Sequence, residues 1–111
     1  MDKKFRIKKS KEIEEIMNFR KTYSSNIFRI FIKQNDETGH FRYAISVGKK
    51  IGNAVYRNYQ KRRIRMLFTK FQDRIPSNLD IFLIAKTNIN DVDFSDLEKT
   101  FLYLLNKISK K

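Results

Sequence analysis

VGKKIGNAVYRNYQKRRIRMLFTKF, residues 47–71, carries Arg57, Lys61, Arg62, Arg63 and Arg65 within about two helical turns. Gly48 and Gly52 bracket a basic turn, and Asn53 is placed to cap the helix that follows. At about 100° per residue, Tyr56, Ile64, Leu67, Phe68 and Phe71 share an apolar arc of about 120°. That arc must face a sheet. Asn58, Lys61, Arg62 and Arg65 occupy the adjoining arc, with Arg57 at its boundary and Arg63 and Lys70 on the far flank. No acidic residue between Val47 and Phe71 offsets this stripe. Like charges at i, i+4, as in Arg57–Lys61 and Lys61–Arg65, each cost a few tenths of a kcal/mol. A phosphate backbone reverses the sign through charge-assisted hydrogen bonds and counterion release. The competing reading is an ordinary amphipathic helix with a solvated basic face. The arginine content, the included Asn58 and the missing glutamates argue against it.

The composition agrees. Net charge is +13, from 25 basic and 12 acidic side chains, which points to a polyanion partner rather than to charge kept for solubility. With 111 residues, 41% of them hydrophobic, residues 1–111 read as one domain with a genuine core. The absence of cysteine excludes disulfides, thiolate metal sites and a cysteine nucleophile, and suits a cytoplasmic protein. No apolar run approaches the roughly 20 residues that span a bilayer. The basic start MDKKFRIKKSKEIEE has no apolar stretch after it, so it does not read as a signal peptide.

Working outward, Ser10 is expected to cap a short helix whose Ile13, Ile16 and Met17 share one face. NIFRIFIK (26–33) and FRYAISV (41–47) read as strands, joined as a hairpin through the turn-forming QNDETG (34–39). Residues 20–26 can add a short strand. LDIFLIAK (79–86) is a continuous apolar run, a strand covered on both faces and parallel to 41–47. Asp93 caps a last helix with the stripe Phe94, Leu97, Phe101, Leu104, Leu105 and Ile108. The fold class is therefore an α/β sandwich in the order α-β-β-α-β-α, with an optional extra strand, and fraying expected at 1–6 and 109–111.

Strand alternation adds a second candidate site. Arg29, Phe31 and Lys33 point to one face of 26–33, while Arg42, Ala44 and Ser46 share a face of 41–47. If the two faces coincide, they form a shallow groove with a basic rim and one stacking ring. Single-stranded nucleic acid suits such a groove, because bases stack on aromatics while phosphates follow charge. The plainer reading is that Phe31 packs beneath the first helix.

The run KKIGNAVYRNYQKRRIR closely resembles the signature of the bacterial ribonuclease P protein subunit. That pattern is approximately Lys-Lys, x-Gly-x-Ala-Val, x-Arg-Asn-x-x-Lys-Arg-x-x-Arg. It is matched by Lys49, Lys50, Gly52, Ala54, Val55, Arg57, Asn58, Lys61, Arg62 and Arg65. FRIKKSKEI resembles the family's opening stretch, and length and element order agree over nearly the whole chain. The resemblance implies a ribosomal-protein-S5-domain-2-like fold with a left-handed crossover, where the general rule favours the right hand. It implies an accessory subunit of an endoribonuclease, with cleavage of precursor tRNA performed by an RNA subunit and Mg²⁺ held mainly by that RNA. The protein itself is expected to supply no catalytic residue, and no metal site stands out in its sequence. By the resemblance, Lys49, Lys50, Arg57, Asn58, Lys61, Arg62 and Arg65 face RNA. Ile13, Met17, Phe31 and Ser46 would line a cleft for the 5′ leader. The chain departs from the family at Tyr59, where Arg is usual, and at Ile13 and Met17, where two Phe are frequent.

Other chemistry is weaker. His40 is the only histidine and has no base–nucleophile partner in view. Asp91, Asp93 and Asp96 lack the glycine and final glutamate of a calcium loop, and Asp93 and Asp96 serve more simply as cap and helix-dipole residues. GKKIGN lacks the Gly-Lys-Ser/Thr ending of a nucleotide-binding loop. Two rival functions remain: a ribosomal or other structured-RNA-binding protein without a role in cleavage, and a DNA-binding domain using helix 54–71. A strand following that helix argues against a helix-turn-helix.

Overall fold

The computed structural model describes residues 3–109. The strand LDIFLIA, β4 (Leu79–Ala85), organises it: all its residues but Ile84 are buried, so both faces and both edges must be covered. It lies inside a four-stranded sheet with β1 (Lys21–Ser24), β2 (Phe28–Gln34) and β3 (Arg42–Ser46), in the order β1-β2-β4-β3. Helices α1 (Ser10–Asn18), α2 (Ala54–Lys70) and α3 (Phe94–Ser109) complete the order α-β-β-β-α-β-α.

The pairing corrects the expected hairpin. β2 runs antiparallel to β4 from Phe28↔Ala85 to Gln34↔Leu79, and β3 runs parallel to β4 on its other side. β4 thus separates β2 from β3. A hairpin would have left the most apolar strand with a solvated edge. The connection after β2 is instead long enough to step over two inter-strand spacings, about 10 Å. Asn35 stitches it down, its N–H donating to the Asn78 carbonyl at 2.7 Å and its Nδ2 to Asp80 at 3.1 Å.

One sheet face presents Ile30, Ile32, Tyr43, Ile81 and Leu83 to Ile64, Leu67 and Phe68 of α2 and Leu97, Phe101 and Leu104 of α3. Tyr43 and Phe68 stack at 4.2 Å with an interplanar angle of 8°, and Phe101 meets Phe68 edge-on at 5.1 Å. The other face carries Phe31, Phe82 and Ala44 beneath Ile13, Ile16 and Met17 of α1. α1 and the α2–α3 pair therefore lie on opposite faces.

The helix starts follow local chemistry. Asn53 Oδ1 accepts from the Tyr56 N–H at 2.9 Å, and Asp93 Oδ1 from the Asp96 N–H at 2.9 Å, as their positions suggested. The Ser10 cap is corrected: Lys9 occupies the cap position without a side-chain bond, and its carbonyl accepts from Glu12 and Ile13. The expected fraying of residues 3–6 is corrected too. Lys3–Phe5 form a turn, Arg6 bridges to Tyr43, and the Ile7 N–H donates to the Tyr43 carbonyl at 2.9 Å. The outer edge of β3 would otherwise present unpaired backbone groups. Residues 1–2 and 110–111 lie outside the described residues.

α1 is tied to the sheet by charge as well as by packing. The Arg42 guanidinium grips Asp80 through Nε at 3.0 Å and Nη2 at 2.8 Å, and reaches Glu12 of α1 at 2.7 Å. The Asp80 bonds, with Glu12 in support, raise the Arg42 pKa above its usual value despite partial burial. Arg42→Ala would leave Asp80 buried with Asn35 as its remaining partner. The expected cost is about 3 kcal/mol in denaturant unfolding, with part of it recovered in Arg42→Ala/Asp80→Leu.

Candidate nucleic-acid interface

The 17-residue helix α2 splits into the two arcs that its periodicity demands. Ile64, Leu67 and Phe68 are wholly buried, Asn58 and Arg62 are exposed, and Arg57, Lys61 and Arg65 are half-buried along the junction. Burying the stems of Lys61 and Arg65 while their charges reach water fixes where the cations sit. Among the described residues none of Lys49, Lys50, Arg57, Lys61, Arg62 and Arg65 forms an ion pair with a carboxylate. Arg57 Nε is enclosed without a partner.

Arg63 behaves differently. Its guanidinium turns inward, with Nη1 donating to Gln60 Oε1 at 3.1 Å and Nη2 to the Val92 carbonyl at 2.7 Å. Only 9% of the residue is exposed. One of the five cations that opened the sequence reading is thus a structural tether between α2 and the segment before α3.

Lys49 and Lys50 stand exposed on a single 3-10 turn, Lys49–Ile51, at the entry to α2. Ile51 anchors the turn in the core, and Asn90 Nδ2 donates to the Ile51 carbonyl at 3.0 Å. Gly52 is required there by close approach: a Cβ at this position would stand 2.8 Å from the Tyr56 ring. Ser46, Lys49, Lys50 and Ile84 line one hollow together with Lys86, whose Nζ donates to Ser24 Oγ at 2.8 Å. Sequence reasoning missed Lys86. The signal was a lone cation ending an otherwise apolar strand.

The two strand faces do coincide. The register aligns Phe31 with Phe82 and Phe82 with Ala44, then Arg29 with Ile84 and Ile84 with Ser46. Phe31 is half-buried beside Ile13 and Met17, and its ring centre lies 6.3 Å from that of Phe82. Phe31 therefore packs under α1, as the plainer reading expects, and keeps an open flank.

The groove's rim is not uniformly basic, however. Arg42 is consumed by Asp80 and Glu12, and Lys33 lies 3.8 Å from Glu15. The end they occupy opens into a hollow that also holds Asp36 and Glu37. Only the opposite end, at Arg29, Ser46 and Lys86, keeps uncompensated positive charge.

β3 joins the two regions. Because it is an outer strand, α1 and α2 meet around its edge, where Ile13, Ala44, Lys61 and Arg65 line one hollow with Arg6. Arg6 also borders a second hollow with Arg62, Arg65 and Met66. The sequence placed Arg6 in a fraying end, so its contribution to the stripe was not foreseen. The structure does not bring Phe31 into the hollow with Lys61 and Arg65.

Comparison with known proteins follows the same outline. Residues 1–109 match the family described as Ribonuclease P. The ribonuclease P protein component of Enterococcus faecalis is 35% identical over 106 residues, covering 96% of this chain and 90% of the relative. That of Mycoplasma capricolum is 39% identical over 103 residues, covering 92% and 94%. The RNase P protein of Staphylococcus aureus superposes with a TM-score of 0.85 at 35% identity, covering 96% of this chain and 95% of that one. The Thermotoga maritima protein gives 0.84 at 26% identity, covering 92% and 96%.

The stripe has a measurable consequence for binding to a structured RNA. Arg62→Ala and Arg65→Ala should each weaken affinity and flatten the slope of log K against log salt by about 0.7 to 0.9. Arg63→Ala should lower thermal stability and leave that slope unchanged.

Proposed function

We infer the role of this chain from one premise: it belongs to the ribonuclease P protein family. It is the protein subunit of ribonuclease P, partner of the RNA subunit in removing the 5′ leader of precursor tRNA. Residues 1–111 act as a single RNA-binding domain, working in the cytoplasm. No described helix is long and apolar enough to cross a membrane.

Within that role, Lys49, Lys50, Arg57, Asn58, Lys61, Arg62 and Arg65 bind the phosphate backbone of the RNA subunit. The supporting observation is a stripe of cations on one helix, fixed by a buried seam and free of carboxylate partners among the described residues. Phosphates replace the mutual repulsion of these side chains with charge-assisted bonds.

Ile13, Met17, Phe31 and Ser46 receive the leader. One end of their cleft is basic and the other is neutralised by Glu12, Glu15 and Asp80. A single strand would place its phosphates toward Arg29 and Ser46 and lay a base against the open flank of Phe31. Charge thereby orients the strand, while the apolar wall accepts bases without reading them.

Phosphodiester hydrolysis falls to the RNA subunit and the Mg²⁺ that it holds. The protein contributes positive charge and position, so its effect should be greatest where Mg²⁺ is scarce.

Adding the protein to a bacterial ribonuclease P RNA and precursor tRNA at low Mg²⁺ should raise the rate of leader removal. An unchanged rate and unchanged precursor affinity would favour a structured-RNA binder without a role in cleavage. Phe31→Ala should shrink the affinity difference between leader-bearing and mature tRNA by roughly 5- to 100-fold, the range for loss of one stacked base. An unaltered difference would leave Phe31 purely structural.

A further inference from the structure

Beyond its cationic stripe, α2 carries a second, apolar line on its outward face. Val55, Tyr59, Arg62 and Met66 recur at i, i+4, i+7 and i+11, so they share one side of the helix. The three apolar members are exposed: Val55 by 79%, Tyr59 by 44% and Met66 by 56%. Such a line on a helix whose polar face is otherwise charged calls for a partner.

The Tyr59 ring is not free to wander. The Arg63 guanidinium carbon lies 5.6 Å from its centre, within cation–π range. That guanidinium is itself fixed by Gln60 and the Val92 carbonyl. Tyr56 adds a tilted ring contact at 5.9 Å. The ring is thus braced from the protein side by a fixed cation and keeps much of its remaining surface open. Bracing lowers the conformational entropy lost when something stacks on it.

We propose that Tyr59, braced by Arg63 and flanked by Val55 and Met66, is a stacking platform for an unpaired nucleobase of the RNA subunit. This rests on the RNA-binding reading above and extends it from phosphates to a base. Charge selects the occupant. Arg62 lies within the apolar line, and Asn58 and Arg65 lie between that line and the buried seam, so a strand whose phosphates follow the stripe as far as Arg62 brings its bases within reach of the ring. A second copy of this chain would instead bring another +13 molecule against a basic helix. The Tyr59 ring accepts any base.

The test uses the intact chain and ribonuclease P RNA, with affinity measured over a range of salt for wild type, Tyr59→Ala, Tyr59→Phe and Arg62→Ala. Circular dichroism checks that each variant is folded. Tyr59→Ala should weaken binding roughly 5- to 100-fold with an unchanged salt slope, because a stack releases no counterions. Tyr59→Phe keeps the ring and should bind within about twofold of wild type. Arg62→Ala should both weaken binding and flatten the slope. If Tyr59→Ala binds like wild type while Arg62→Ala shows its loss, the platform is overturned and the phosphate stripe stands. If neither variant changes affinity, the RNA-binding reading of α2 falls with it. A Tyr59→Phe loss equal to that of Tyr59→Ala would mean a hydroxyl contact in place of stacking and would overturn the platform. So would a wild-type dimer, seen by sedimentation, that Tyr59→Ala dissociates.

Discussion

The structure depends on the burial of one seam of α2 against the sheet. Fully burying an Ile, Leu or Phe contributes about 1.5–3 kcal/mol per side chain. Ile64, Leu67 and Phe68 are all at 0% exposure, so together they outweigh repulsions of a few tenths of a kcal/mol per like-charged pair. The Tyr43–Phe68 stack and the edge-on Phe68–Phe101 contact extend that hold from β3 through α2 to α3. Without it, a helix carrying this much unpaired positive charge has little reason to stay where it is. With it, the cations are held in place before any polyanion arrives, and less ordering remains to be done on binding.

The sheet then gives its two faces different surroundings. α2 and α3 take one face as pure core. α1 covers only part of the other, held by Ile16 and by the Arg42–Glu12 pair, and the uncovered part becomes the cleft. Since β3 rather than β4 is the outer strand, the α2 stripe can overhang its edge and meet α1 at Ile13. A cationic ridge and an apolar cleft are thus set close together without sharing a helix face. The carboxylates Glu12, Glu15 and Asp80 give the cleft a direction by neutralising one end.

Much of this was legible in the chain because local pattern and tertiary placement agree. The stripe of α2, the apolar run of β4, the parallel β3–β4 pair and the caps at Asn53 and Asp93 follow from period and residue type alone. The strand order was harder. Alternation in 26–33 and 41–47 is equally compatible with direct pairing and with a strand inserted between them, and a turn-rich loop reads as a hairpin in either case. What decides is non-local: β4 needs both edges covered, and that outweighs sequence proximity. Side-chain direction was also hidden for Arg63, Arg42 and Lys33. A helical wheel places Arg63 on a flank, but only the Val92 carbonyl shows why it turns inward. The partners of Arg42 lie 30 and 38 residues away in sequence, beyond the reach of any local pattern. Arg6 comes to lie beside the stripe for a similar reason, because the open edge of β3 captures the segment that carries it.

The central claim is that the cationic stripe of α2 lies against the RNA subunit. The chain contains no cysteine, so a single introduced cysteine carries a hydroxyl-radical probe to one defined place. Lys61→Cys puts it on the stripe, and Tyr103→Cys puts it on the exposed side of α3. In the assembled ribonucleoprotein, the account requires a discrete set of RNA cuts from the probe at position 61 and far weaker cutting from position 103. Strong cutting from position 103 with none from position 61 would contradict it.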